Sequence, residues 1–240
     1  MLIPHRRYLL ILATLFGLWW VALAIHPWHR NVWFLENALA LTAVLLLGGF
    51  HRQLLFSRVS YTLIFVFMCL HQIGAHHSYS EVPYDVWFEK LTGRTFNSLM
   101  GWERNHFDRV VHFAYGLLLA YPIREVFLRV VNVRGFWGYF LPLDLTMSTS
   151  MLFELLEWAT ATAFGSDLGQ SYLGTQGDEW DAHMDMALAS LGAAIAMCIT
   201  AAINWRLQRD FAREWAESFR VKDKAPHGED ELARMARKWK

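Results

Sequence analysis

The stretch Gly174-Thr-Gln-Gly-Asp-Glu-Trp-Asp-Ala-His-Met-Asp-Met186 decides how this chain is read. It begins as a glycine-punctuated loop without Lys or Arg and runs into a mostly apolar stretch from Met186 to Ile203. Asp178, Asp181 and Asp185 fall at i, i+3 and i+7, so a helix starting near Asp178 puts three carboxylates on one face. Carboxylates at the mouth of a membrane helix are costly unless something partners them. The rest of the chain is therefore read for what it brings to that face.

Of the 240 residues, 55% are hydrophobic and 18% charged, and the formal net charge is zero. That balance gives no global basic signal, so no nucleic-acid partner is expected. Cys69 and Cys198 both lie in apolar runs, which argues against a disulfide framework or a paired-cysteine metal site. A bilayer is crossed by about 20 apolar residues. Spans are expected at roughly Tyr8 to Ile25, Trp33 to Phe50, Ser57 to Gly74, Asp108 to Val131, Phe136 to Phe164 and Asp181 to Trp205. Pro142 is expected to kink the fifth or delay its start. Ala22-Leu-Ala24 offers a small-x-small cleavage pattern, but the run before it is longer than a usual signal core, so an uncleaved first helix is expected. The predicted fold is all-α, a polytopic membrane bundle of about six helices over residues 1–205, with an outer loop at about 76–106 and a charged tail at 206–240.

The basic residues sort to one side. Arg6, Arg7, Arg52, Arg58, Arg124, Arg129, Arg134 and the tail residues Arg206, Arg209 and Arg213 fall together, opposite only Arg30, Lys90, Arg94 and Arg104. By the positive-inside rule both termini are expected in the cytoplasm of a bacterial inner membrane, with the 76–106 loop outside and carrying a short interfacial helix. The tail reads as a solvated extension.

The ionisable residues inside the spans then arrive at one level. The third helix brings His71 and His76 to the outer face, and the fourth leaves it with Asp108, Arg109 and His112. The fifth carries Glu154 and Glu157, and the sixth Asp181 and Asp185. Taken singly, most have ordinary readings: Asp108 as a helix N-cap, Arg109 as a snorkelling cation, Trp158 and Trp180 as interfacial belt residues. Glu154 and Glu157 do not, because they sit inside Met151-Leu-Phe-Glu-Leu-Leu-Glu-Trp158 and need a proton, a cation or a metal. A buried ion network that only fixes helix packing gives the same pattern.

Mixed His and carboxylate donors suit Zn, Mn or Fe, and carboxylate-rich sets suit Mg or Ca. The expected metal ligands are His71, His76, His112, Asp181 and Asp185. Glu157, Glu154 and Asp108 are the expected catalytic carboxylates, with Glu157 or Glu154 as general base. Arg109 and Arg104 are expected to contact a phosphate or headgroup. No compact motif such as His-Glu-x-x-His is present.

Four segments carry a resemblance: His71-Gln-Ile-Gly-Ala-His76 with Tyr79, Asn105-His-Phe-Asp-Arg-Val-Val-His-Phe113, Glu154-Leu-Leu-Glu-Trp158, and Gly174-Thr-Gln-Gly-Asp-Glu-Trp-Asp181 with Asp185-Met186. In this order they resemble the bacterial YjdF family of inner-membrane proteins. The resemblance implies a polytopic inner-membrane protein and supplies no activity. A remoter likeness is to VanZ-like membrane proteins, through Asp108-Arg-Val-Val-His-Phe113, Glu154-Leu-Leu-Glu157 and a later Asp. Here Arg stands where those proteins carry Lys, and Glu where they carry Gln. It implies cell-envelope lipid or precursor chemistry.

The leading expectation is an outward-facing, divalent-metal site acting on an envelope lipid or lipid-linked substrate. A proton or metal-ion transporter and a non-catalytic assembly factor are the alternatives. A conduit needs polar residues through the cytoplasmic half, and the first helix, most of the second and the sixth beyond Asp185 are apolar there.

Overall fold

Apolar runs closed by Gly, Pro and Arg become helices close to where the pattern puts them. The computed structural model describes residues 4–164, 175–222 and 228–238. The long helices are α1 (His5–Ala24), α2 (Arg30–Phe50), α3 (Arg58–His77), α6 (Phe107–Arg129), α7 (Trp137–Phe164) and α8 (Asp181–Leu207). Between α3 and α6 come a 3₁₀ turn (Tyr79–Glu81), α4 (Tyr84–Thr92) and α5 (Phe96–Met100), where one interfacial helix was expected. After α8 come α9 (Phe211–Glu217) and α10 (Glu229–Lys238). The described residues contain no strand, and the fold is all-α.

Five helices, α1, α2, α3, α6 and α8, are long and apolar enough to cross a membrane. α7 has 28 residues, ample for the ~20 that span a bilayer. Its Asp144, Glu154, Glu157 and hydroxyl side chains dilute its apolarity. It nevertheless packs against both α6 and α8 inside the bundle. Pro142 sits inside α7 without ending it. α1 has no buried residue; it packs mainly on α3, and its Trp20 Nε1 donates to Asn37 of α2 at 2.6 Å. Its Leu10, Leu18 and Val21 are exposed, as are Leu41 and Leu45 of α2 and Ile199 and Ile203 of α8. Apolar surface of that extent facing outward on every helix is what a lipid solvent requires.

The centre of the bundle is the crossing of α6 and α8. Ala120, Ala189 and Ala193 are fully buried there. A Cβ at Gly116 would lie 1.9 Å from the carbonyl oxygen of Ala189, and one at Gly192 would lie 2.2 Å from that of Phe113. Small residues let two membrane helices approach backbone to backbone, where packing and not water expulsion holds them. That approach sets Asp108 and His112 opposite Asp185.

At the end of the bundle away from residues 76–106, Ser57 caps α3 by accepting from the Ser60 amide at 3.2 Å. Glu125 of α6 accepts from the Ser57 amide at 2.9 Å and from the Ser60 hydroxyl at 2.6 Å. The expected solvated tail is only partly so. Phe211 and Trp215 of α9 pack against Tyr139, and Trp137 Nε1 donates to the Ser218 carbonyl at 2.9 Å. Aromatic residues at 211, 215 and 219 give that segment an apolar face which a charge count overlooks.

Candidate functional site

The loop end of the bundle gathers five carboxyl groups and one imidazole. Asp108 and His112, one turn apart on α6, place Oδ1 and Nε2 3.6 Å from each other. Glu154 of α7 brings Oε1 to 3.5 Å from the same Nε2. Asp185 completes a set with Asp108 and His112 in which one donor atom of each lies within 4.8 Å of the others. Asp185 is only 2% exposed, and its Oδ1 has no hydrogen-bond partner. Glu36, 3% exposed on α2, and Glu157, buried on α7, line the same cavity as Asp108 and His112. Among the described residues no Lys or Arg pairs with any of these five carboxyls.

That arrangement has a chemical consequence. Several like charges in a low-dielectric pocket repel, and each is costly to desolvate. The pocket therefore holds protons or a cation. Nε2 of His112 and carboxylate oxygens of Asp108 and Asp185 form a compact N/O donor set, the type that binds Zn, Mn or Fe.

The arginines stand one layer above. Arg104, from the loop before α6, donates to the Thr175 carbonyl at 2.8 Å, to Asp178 at 2.8 Å and to Asp181 at 2.5 Å. Arg109 donates to Asp178 at 2.6 Å and stands 3.5 Å from Asp181. The backbone N–H of Trp180 first, with Arg109 and Arg104, holds the Asp178 carboxyl below the usual carboxylate range. Burial lowers the His106 imidazole, with Arg109 and Arg104 adding to the effect.

The expected site residues divide accordingly. Asp108, His112 and Asp185 come together, Glu154 touches His112, and Glu157 shares their cavity. Asp181 instead faces Arg104 and Arg109; Arg104 is engaged by Thr175, Asp178 and Asp181, while Arg109 reaches Asp178 and its buried Nε has no partner among the described residues. Asp178 is not on the helix with Asp181 and Asp185, because α8 starts at Asp181. Asp108 is not the N-cap of α6 but lies in its first turn, and Asn105 Oδ1 accepts from the Phe107 amide at 2.9 Å. His71 has both ring nitrogens engaged: Nε2 donates to the Glu36 carbonyl at 3.2 Å, and Nδ1 accepts from the Tyr79 hydroxyl. His76 turns away and donates from Nδ1 to the Leu23 carbonyl at 2.7 Å. These two histidines fasten α3 to α2 and α1. Glu36 was missed as a site residue. Its signal was a single carboxylate in an apolar span, the same one that singled out Glu154 and Glu157.

Sequence comparison can now be set beside this geometry. Residues 8–206 match the family described as "Predicted membrane protein (DUF2238)". The chain belongs to that family. Over 183 residues it is 34% identical to the inner membrane protein YjdF of Escherichia coli (strain K12), a match covering 76% of this chain and 83% of the relative. No solved structure matches the chain. The family match takes in every residue of the site and stops at the end of α8, leaving out α9 and α10. Neither match speaks to the remoter VanZ-like likeness.

Proposed function

We propose that this is an inner-membrane enzyme of metal-assisted hydrolysis, acting from the loop end of the bundle on a lipid or lipid-linked substrate. The carrying observation is the Asp108–His112–Asp185 set, with His112 and Asp185 buried and one Asp185 oxygen unpartnered, beside the head of a cavity that reaches into the membrane. A divalent cation bound there would neutralise the carboxylates, polarise the substrate and lower the pKa of water. Asp108, His112 and Asp185 are the proposed ligands. Glu154, whose Oε1 stands 3.5 Å from the same His112 Nε2, is close enough to join them as a fourth ligand. Glu157 faces the cavity and serves as general base: it takes the proton of the attacking water and returns it to the leaving group. Arg104 and Arg109 position α8 through Asp178 and Asp181.

The distribution of Arg supports an orientation with the loop end outside and both termini in the cytoplasm. The apolar lining of the cavity beyond Thr149 and Ser150 favours a one-sided site over an ion path.

The test is to reconstitute the full chain in vesicles of envelope lipid extract and to follow lipids by mass spectrometry. Products that form with wild type, and stop with chelator or with Glu157→Gln, are expected. Product formation that survives both would reject the assignment.

A further inference from the structure

The cavity below the site has a shape of its own. It has a volume of about 560 Å³ and runs between α2, α3, α6 and α7. Its head is Glu36, Asp108, His112 and Glu157, and its far end is Phe56, Ile123 and Val126. From His112 to Val126 along α6 is fourteen residues, or roughly 21 Å at about 1.5 Å per residue. The walls between are aliphatic and aromatic.

The cavity opens sideways. Leu39 and Leu46 of α2 and Leu152 and Leu156 of α7 line it and are each about half exposed, Leu156 at 56%. Among the described residues α2 packs on α3 and makes no comparable contact with α7. The slot between α2 and α7 therefore faces the hydrocarbon of the bilayer.

An apolar void of this size does not fill with water, which needs polar partners. Left empty, its walls lose their dispersion contacts. The filler at hand is lipid hydrocarbon. The walls of α2, α3, α6 and α7 leave one channel with one lateral slot, which suits a single chain. A length of ~21 Å exceeds the ~15 Å of one leaflet, so the chain lies straightened.

We infer that the slot between α2 and α7 admits one extended acyl chain of a membrane phospholipid, which lies along the cavity with its glycerol ester end at Asp108, His112 and Glu157. This rests on reading the loop-end cluster as a site that acts on a lipid, and names the substrate class. Ala43 on the α2 wall and Leu156 at the slot are the residues that set the bore.

The experiment uses the full chain in vesicles of phosphatidylethanolamine and phosphatidylglycerol with added isoprenoid phosphate. The protein is then extracted, washed in detergent and weighed by native mass spectrometry. One phospholipid or its cleavage product per chain is expected for wild type, and one intact phospholipid for Asp185→Asn. At least tenfold less is expected for Ala43→Phe and for Leu156→Trp, each checked for helicity by circular dichroism. Leu156 is exposed, so its variant is read even where Ala43→Phe does not fold. A wild type without bound lipid, retention undiminished in Leu156→Trp, or retention of the isoprenoid in place of a phospholipid would overturn the inference. Metal content of the same samples separates the two claims: bound phospholipid without metal rejects the metal site and leaves the chain in place.

Discussion

Gly116 of α6 meets Ala189 of α8 so closely that a methyl group on Gly116 would stand 1.9 Å from the Ala189 carbonyl oxygen. The site depends on that contact, because Asp108 and His112 lie on the same helix as Gly116, and Asp185 lies one turn before Ala189. Gly116→Ala must push the two backbones apart. Overpacking of this kind costs typically about 1–3 kcal/mol. The expected result is a lower melting temperature in detergent, together with weaker binding of Mn²⁺ or Zn²⁺ by calorimetry. Unchanged stability would mean that the helices are not held at this spacing.

Arg104 joins three acceptors on the segment that starts α8, namely Thr175, Asp178 and Asp181. A lysine offers a point charge and cannot fork between them. Arg104→Lys is therefore expected to behave almost as Arg104→Ala. Each should destabilise by about 2 kcal/mol, less than the ~3–5 kcal/mol of breaking a fully buried pair, since Arg109 still stands near Asp181. Thermal unfolding of the two variants checks this. Full rescue by lysine would show that only the charge matters.

The clamp on Asp178 also fixes a pH response. Its carboxyl is held below the usual range by the Trp180 amide and the two arginines. A depressed folded-state value gives stability that is present above the ordinary aspartate pKa of about 3.9 and lost as pH falls through the lower folded value. Fluorescence of Trp180, read as the difference from Trp180→Phe, is expected to stay flat from neutral pH down to about 4 and to change below it. A transition near neutral pH would contradict the clamp.

Glu157→Gln keeps the size and burial of the side chain and removes its basicity. It is expected to leave folding and bound metal unchanged while lowering turnover by about 10²–10⁴, the usual worth of a positioned base. Turnover assays with metal content measured on the same sample decide it.

His71 bridges the Glu36 carbonyl and the Tyr79 hydroxyl, with no nitrogen to spare. His71→Phe is expected to cost stability and leave metal stoichiometry intact. Loss of metal with unchanged stability would return His71 to the ligand set.

The architecture was largely legible because membrane helices carry their signal in length and apolarity. The convergence at the loop end was legible for a related reason: a carboxylate such as Glu154 inside an apolar run demands a partner. Which partner was not legible. Helix periodicity puts Asp181 and Asp185 on one face, but it does not say that Arg104, from a loop 77 positions earlier, takes the first and leaves the second to His112 and Asp108. Nor does spacing tell whether the nitrogens of His71 and His76 point to the site or to a backbone carbonyl on a neighbouring helix. Glu36 was passed over because it stands alone in its span. The docking of α9 on Tyr139 was hidden by the charges around Phe211 and Trp215.

The most direct measurement is the metal content of the purified full chain by mass spectrometry, for wild type, Asp185→Asn and Asp108→Asn. One divalent cation per wild-type chain, lost in both variants while their helicity and melting behaviour persist, is the expected result. A wild type that holds no metal after incubation with excess Zn²⁺ and Mn²⁺ would contradict the proposed site and leave the cluster as a protonated network that fastens α6, α7 and α8.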